Sequence, residues 1–179
     1  AALGDKRRTK RLVVIANSLV KSPSGSLPSK LNGPGELDAL YHLMKQKSVT
    51  HASVLAAHFE QTRRTLVESE DYVVVAHDTT ELDFTSHETL TDLGQIGKGN
   101  HRGYLCHNSL AVLPETRQVI GLANQILWKR RFVEDGETRS ERREHKDRES
   151  QLWKQATDPL PKGLKIVDVC DRGADIFEF

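Results

Sequence analysis

With 179 residues and a mass of 20.1 kDa, the chain can bury one good core, or one domain plus a small appendage. Two cysteines, Cys106 and Cys170, without CxxC spacing exclude a disulfide framework and a structural zinc site, and no apolar run approaches membrane-spanning length. The net charge of +1 hides a split: residues 1–70 carry 11 Lys/Arg against 6 Asp/Glu (+5), and residues 71–179 carry 15 against 19 (−4). A basic front half before an acidic one fits a module that holds a polyanion beside one that holds metal, although chance alone produces splits of this size. No signal peptide is visible, so a cytoplasmic protein is expected by default. The chain begins Ala-Ala-Leu and stops inside what reads as a new helix over 174–179, so a fragment of something longer is expected.

Asp5 stands where an N-cap belongs, ahead of helical spacing through Leu12, Ile15, Ala16 and Leu19. Lys6, Arg7, Arg8, Lys10 and Arg11 crowd the first turns of this helix, where cations oppose the macrodipole, so helix stability does not explain them. Phosphate binding does, by releasing counterions from DNA; the plain alternative is a solvated charged face. Residues 21–35, rich in Ser, Pro and Gly, read as a loop. A second helix is expected over 36–47, with Leu37, Leu40, Tyr41, Leu43 and Met44 on its core face. A third is expected over 51–68, with Val54, Leu55, His58, Phe59, Thr62 and Leu66 on one side and His58 as a packed histidine. Residues 1–70 thus read as a small basic helical unit.

Within YVVVAHDTTELDF over 72–84, the apolar run from Tyr72 to Ala76 reads as a strand buried on both faces that delivers Asp78 at its end. Residues 85–103 read as a loop, with Lys98, His101 and Arg102 able to face a phosphate backbone. Two further strands follow, over 104–113 and 118–128, joined by the hairpin-length Pro114-Glu115-Thr116-Arg117. His101 and His107 read as surface or packing residues. Residues 129–148 are a charged loop or an exposed helix start. Glu149, Leu152, Trp153 and Ala156 form a helical stripe, and a second Asp-bearing strand, KIVDVCDRGAD over 165–175, comes next. A hairpin followed by a helical crossover can return this fourth strand parallel to the first. Asp78 and Asp171 then emerge side by side at one sheet edge, as in an RNase H-like sheet, and carboxylates that close repel unless a divalent cation bridges them. Each acid also has a local reading, as a turn or cap residue after a strand.

Five blocks in order carry a resemblance: LGDKRRTKRL at 3–12, AHDTTELDF at 76–84, HRGYLCHNSLAV at 101–112, GLANQILWKR at 121–130 and DVCDRGADI at 168–176. Together they resemble the bacterial DDE insertion-sequence transposases of the IS-four family, the kind found in transposon Tn-five. The resemblance implies an α+β or α/β chain: a helical DNA-binding domain over 1–70, then an incomplete RNase H-like domain over 71–179. The second domain would hold three antiparallel strands, then a helix and a parallel strand. It implies cut-and-paste DNA transposition, with Asp78 and Asp171 as catalytic acids and ligands of Mg²⁺ or Mn²⁺. Lys6, Arg7, Arg8, Lys10, Arg11, Arg102 and Arg172 would contact DNA, although an ion pair with Asp175 accounts for Arg172 nearly as well.

The implied partners are double-stranded DNA, as transposon ends and target, and a second copy of the chain in a synaptic dimer. The implied setting is the bacterial nucleoid. The family's third acid, a Glu, would lie beyond residue 179; Glu149 and Glu178 sit outside its motif, and Glu81 and Asp83 read as structural. This polypeptide is therefore expected to be inactive in cleavage by itself. Two other readings stand beside this one: another RNase H-like nuclease, and a non-catalytic DNA-binding remnant or inhibitor.

Overall fold

A computed structural model describes residues 3–174, except the Arg172 side chain. The helix start expected over 174–179, with Asp175 and Glu178, lies outside the described residues apart from Ala174. The fold is α+β, with several helices and a mixed sheet of five strands. It divides into two compact units, residues 1–58 and 59–179.

The first unit is helical. α1 (Lys6–Lys21) starts where expected, because the Asp5 carboxylate accepts the Arg7 backbone N–H at 2.7 Å. α2 (Leu27–Lys30) and the start of α3 (Pro34–Met44) both fall within 21–35, which had read as loop. The prolines mark helix starts here rather than breaks. Pro34 occupies the first helical turn, where a missing N–H costs nothing, and Gly33 before it takes a positive φ of 93°. Leu3, Ile15, Leu31, Leu40, Leu43 and Val49 form the core, with Leu12, Leu19, Leu37 and Val54 packed against it.

Three stripe residues are corrected. Ala16 faces solvent, and Ser18 is buried in its place, hydrogen-bonding Glu36 at 3.3 Å. Tyr41 and Met44 are 50% and 58% exposed, since a single-sided helix buries only the narrower Leu37–Leu40–Leu43 face. α4 (His51–Glu68) has the expected bounds and begins with a reciprocal cap, Thr50 N–H to Ser53 Oγ and Ser53 N–H to Thr50 Oγ1. His58 is exposed rather than packed.

The second unit is built on the sheet. Its strands are β1 (Val73–Asp83), β2 (Gly94–Gln95), β3 (Arg102–Leu113), β4 (Gln118–Trp128) and β5 (Ile166–Val169). The path runs β2-β3-β1-β5, and β4 also pairs with β3. β1 is antiparallel to β3, β3 is antiparallel to β4, and β5 returns parallel to β1. Between β4 and β5 lie α5 (Arg139–Glu144), opened by a Thr138–Glu141 capping box, and α6 (Gln151–Thr157). A 3-10 turn, Arg172–Ala174, follows β5.

β1 departs from its expected form in two ways. It alternates, burying Val73, Val75 and His77 while Val74 and Ala76 are half-buried, so only one face is fully covered. It also runs past Asp78 to Asp83, because β-branched Thr79 and Thr80 keep the chain extended and the long β3 offers partners up to Gly103. The segment read as loop over 85–103 contains β2. It pairs Gly94 with Gly103 of β3, which on its other side lies so close to β1 that a Cβ on Gly103 would be 1.9 Å from the Leu82 carbonyl oxygen. Below the covered face, Leu66, Val73, Val75, Ala111 and Leu160 form one cluster, and Leu152, Trp153 and Ala174 a second. Among the described residues, no helix is long and apolar enough to cross a membrane.

Candidate functional site

The basic residues at the start of α1 do not share one environment. Arg8 turns inward: its Nη1 donates to Ser48 Oγ at 2.7 Å and to the Leu3 carbonyl at 3.3 Å. Ser48 in turn bonds the same carbonyl at 3.0 Å, so Arg8 ties the segment before α1 to the segment before α4. Arg7 remains 92% exposed while pairing with Asp5 at 3.2 Å. Its backbone N–H first, and its guanidinium second, hold the Asp5 carboxyl below the usual range. Lys6, Lys10 and Arg11 are exposed. Arg7 and Arg11, one turn apart, line a cleft of about 560 Å³ against Asp38 and His42 of α3 and Gln46 just after it. Nothing in the sequence singled out the α3 side of this cleft, because its polar residues lie singly among apolar ones. Arg102 is exposed at the start of β3, and the Arg172 side chain lies outside the described residues.

The two acids arise from neighbouring parallel strands. β5 pairs with β1 at a constant offset, Val73 with Ile166 through Ala76 with Val169, or 93 residues (166 − 73). Asp78 and Asp171 differ by the same 93 (171 − 78); β5 ends at Val169, and Asp171 follows two residues beyond the last pair of this ladder. Neighbouring strands lie about 4.8 Å apart. Asp78 is exposed and faces Asn108 of β3 in the antiparallel register. Asn108 is paired with Gln125 of β4, whose Nε2 donates to Asn108 Oδ1 at 2.6 Å. A polar row therefore crosses β1, β3 and β4: Asp78, Asn108, Gln125.

Asp171 also does local work, since its Oδ1 accepts the Gly173 N–H at 2.8 Å and caps the 3-10 turn. The turn closes because residue 173 is glycine: a Cβ there would lie 2.8 Å from Trp153 and 2.9 Å from Asp171 Oδ1. Two such carboxylates are a hard-oxygen donor set suited to a divalent cation such as Mg²⁺. Among the described residues, no group of three or more His, Cys, Asp or Glu could hold a metal. Glu81 and Asp83 are engaged elsewhere. Glu81 accepts the Gly97 N–H at 2.7 Å, and Asp83 accepts the Thr85 N–H at 2.8 Å and lies 3.0 Å from His101 Nδ1.

Beneath the acids, on the covered face, lies a polar layer that the sequence reading missed. His77 Nε2 stands 2.9 Å from Asp168 Oδ1, and Ser109 Oγ stands 3.0 Å from His77 Nδ1. A carboxylate only accepts, so His77 donates from Nε2 to Asp168, while its Nδ1 shares a hydrogen bond with the Ser109 hydroxyl. His107 is fully buried, with Nδ1 2.7 Å from Thr79 Oγ1 and its ring stacked on His77 at 5.9 Å and edge-on to Trp153 at 5.1 Å. Burial pushes its pKa down to about 4, aided by His77 and opposed by Asp78 and Asp171. The signal that could have found this layer is the alternation itself. His77 and Thr79 share the parity of Val73 and Val75, and Asp168 shares that of Ile166.

Two features are now in place: a helical unit that presents exposed cations beside an α1–α3 cleft, and a sheet in which β1 carries Asp78 next to the parallel β5 that leads to Asp171. Residues 1–49, which cover α1 to α3, match the family model described as transposase DNA-binding; the match supports a transposase and supports DNA as the partner of this segment.

Proposed function

We propose that this chain belongs to a bacterial DNA transposase of the IS-four family, Tn-five type, with a DNA-holding domain over 1–70 and an RNase H-like catalytic domain over 71–179. The observation that supports the catalytic part is the shared 93-residue offset: β1 and β5 pair in parallel at the same spacing that separates Asp78 from Asp171, two residues past the end of β5. Lys6, Arg7, Lys10 and Arg11, with Arg102 and Arg172, hold the phosphate backbone of transposon-end and target DNA, and each neutralised phosphate releases counterions. Arg8 supports the helix that displays them. Asp78 and Asp171, with a further acid, would hold a Mg²⁺ or Mn²⁺ ion. The bound ion supplies Lewis acidity to phosphoryl transfer, the chemistry of DNA cleavage and strand joining. The covered His77–His107 layer keeps water from the underside of the acids, and the exposed face leaves DNA free to approach. Two copies act together, one at each transposon end.

The test is Mn²⁺ uptake by the 179-residue chain, followed through loss of the free-ion electron paramagnetic resonance signal, together with transposon-end binding. Asp78→Asn and Asp171→Asn should each weaken Mn²⁺ binding by about 10-fold or more while DNA affinity holds. Full Mn²⁺ binding by both variants would remove the acids from the site.

A further inference from the structure

β5 is held to the sheet by little. Its ladder with β1 has four pairs, and it is the last strand on the sheet path. On the open face, Val167 and Val169 are 47% and 49% exposed, so apolar burial there does little to choose a register. A slip of one residue would turn Asp171 to the opposite face. A slip of two would preserve the in–out pattern but carry Asp171 roughly 6.6 Å along the strand, level with Ala76 or Thr80. Hydrophobic patterning opposes the first error and leaves the second unopposed.

One contact separates these registers. The His77 side chain is 0% exposed and bonds Asp168, whose side chain is 31% exposed, at 2.9 Å. Its other ring nitrogen meets Ser109, directly across the β1–β3 ladder. The imidazole thus belongs to the sheet interior and reaches out to β5 from there. A two-residue slip would move Asp168 away and leave a buried ring nitrogen without this acceptor, which is costly in a low-dielectric interior. Asp168 lies three residues before Asp171, and His77 directly precedes Asp78.

We propose that His77 and Asp168 are positioning residues: their hydrogen bond sets the β1–β5 register and so holds Asp171 level with Asp78 for joint cation binding. This rests on the proposed cation role of the two acids. Neither His77 nor Asp168 contacts the ion; both act through the strand that carries Asp171.

The experiment uses the full 179-residue chain and Mn²⁺ alone as probe, with amide hydrogen exchange as a second readout. Asp168→Ala breaks the bond from its exposed end, where loss of folding is least expected. Asp168→Asn retains an acceptor oxygen for the His77 N–H, and His77→Gln retains a donor at a similar reach. Asp168→Ala should weaken Mn²⁺ binding about 10-fold and speed exchange in Val73–Ala76 and Ile166–Val169, with the rest of the sheet still protected. Asp168→Asn and His77→Gln should restore affinity to within about threefold of the original chain, a rescue that general destabilisation would not produce. If Asp168→Ala binds Mn²⁺ as the original chain does, or if the conservative variants fail as badly as the alanine, the positioning role is overturned while the cation site stands. A wild-type chain that takes up no Mn²⁺ overturns the cation reading and, with it, this one.

Discussion

At the scale of single residues, chemical type says less than the direction in which a side chain points. Arg8 and Arg11 are both cations on α1, yet Arg8 bonds Ser48 and Leu3 and Arg11 lines an open cleft. Arg8→Ala should therefore lower stability by about 1–3 kcal/mol, the range for hydrogen bonds from a charged donor, as read by urea denaturation. Arg11→Ala should leave the urea midpoint where it is and reduce the slope of log affinity against log salt by about 1. The reverse pattern would mean that the two roles have been exchanged. His107 makes a second prediction. Its pKa falls from an ordinary 6.5 to about 4 on folding, so the unfolded chain binds the extra proton first. Stability contributed by neutral His107 is thus complete above pH 6.5 and declines as pH falls from 6.5 towards 4. Replacing it with Gln should flatten the fall of the urea midpoint across that window; an unchanged slope would assign the acid sensitivity to other groups.

At the scale of elements, the close approach of β3 to β1 at Gly103 yields the clearest steric test. Gly103→Ala places a methyl group within 1.9 Å of the Leu82 carbonyl oxygen, so the sheet must shift. A destabilisation of roughly 2–3 kcal/mol in urea is expected, and a neutral result would show that the end of β1 gives way without cost. Legibility in the sequence follows the same physics. α4, β3 and β4 were readable because their periodicities are long and uninterrupted, and α1 because Asp5 is a strong cap. The helices in 21–35 were missed because Pro28 and Pro34 at helix starts look like loop composition until backbone geometry is seen. The acids at 78 and 171 were visible as residues, and their neighbouring strands were inferable from the helical crossover. The 93-residue register was not, since pairing is decided by contacts far apart in sequence. The Ser109–His77–Asp168 chain, buried at Ser109 and His77, escaped notice for the same reason: its members lie 32 and 91 positions apart.

For the whole molecule, the charge split corresponds to the division of labour proposed above: a basic helical segment to meet DNA, and a sheet-based unit to supply the two acids. Changing Arg7, Lys10 and Arg11 together to Gln should reduce the salt slope of DNA binding by roughly 2–3, through loss of phosphate contacts, without altering Mn²⁺ uptake. Asp78→Asn should do the opposite. The most direct test of the central claim is a double-mutant cycle on Mn²⁺ affinity, using Asp78→Asn, Asp171→Asn and the pair. Two carboxylates sharing one ion predict strong coupling, with the double variant binding hardly more weakly than either single one. Strictly multiplicative losses, or no loss at all, would contradict a shared ion between β1 and β5.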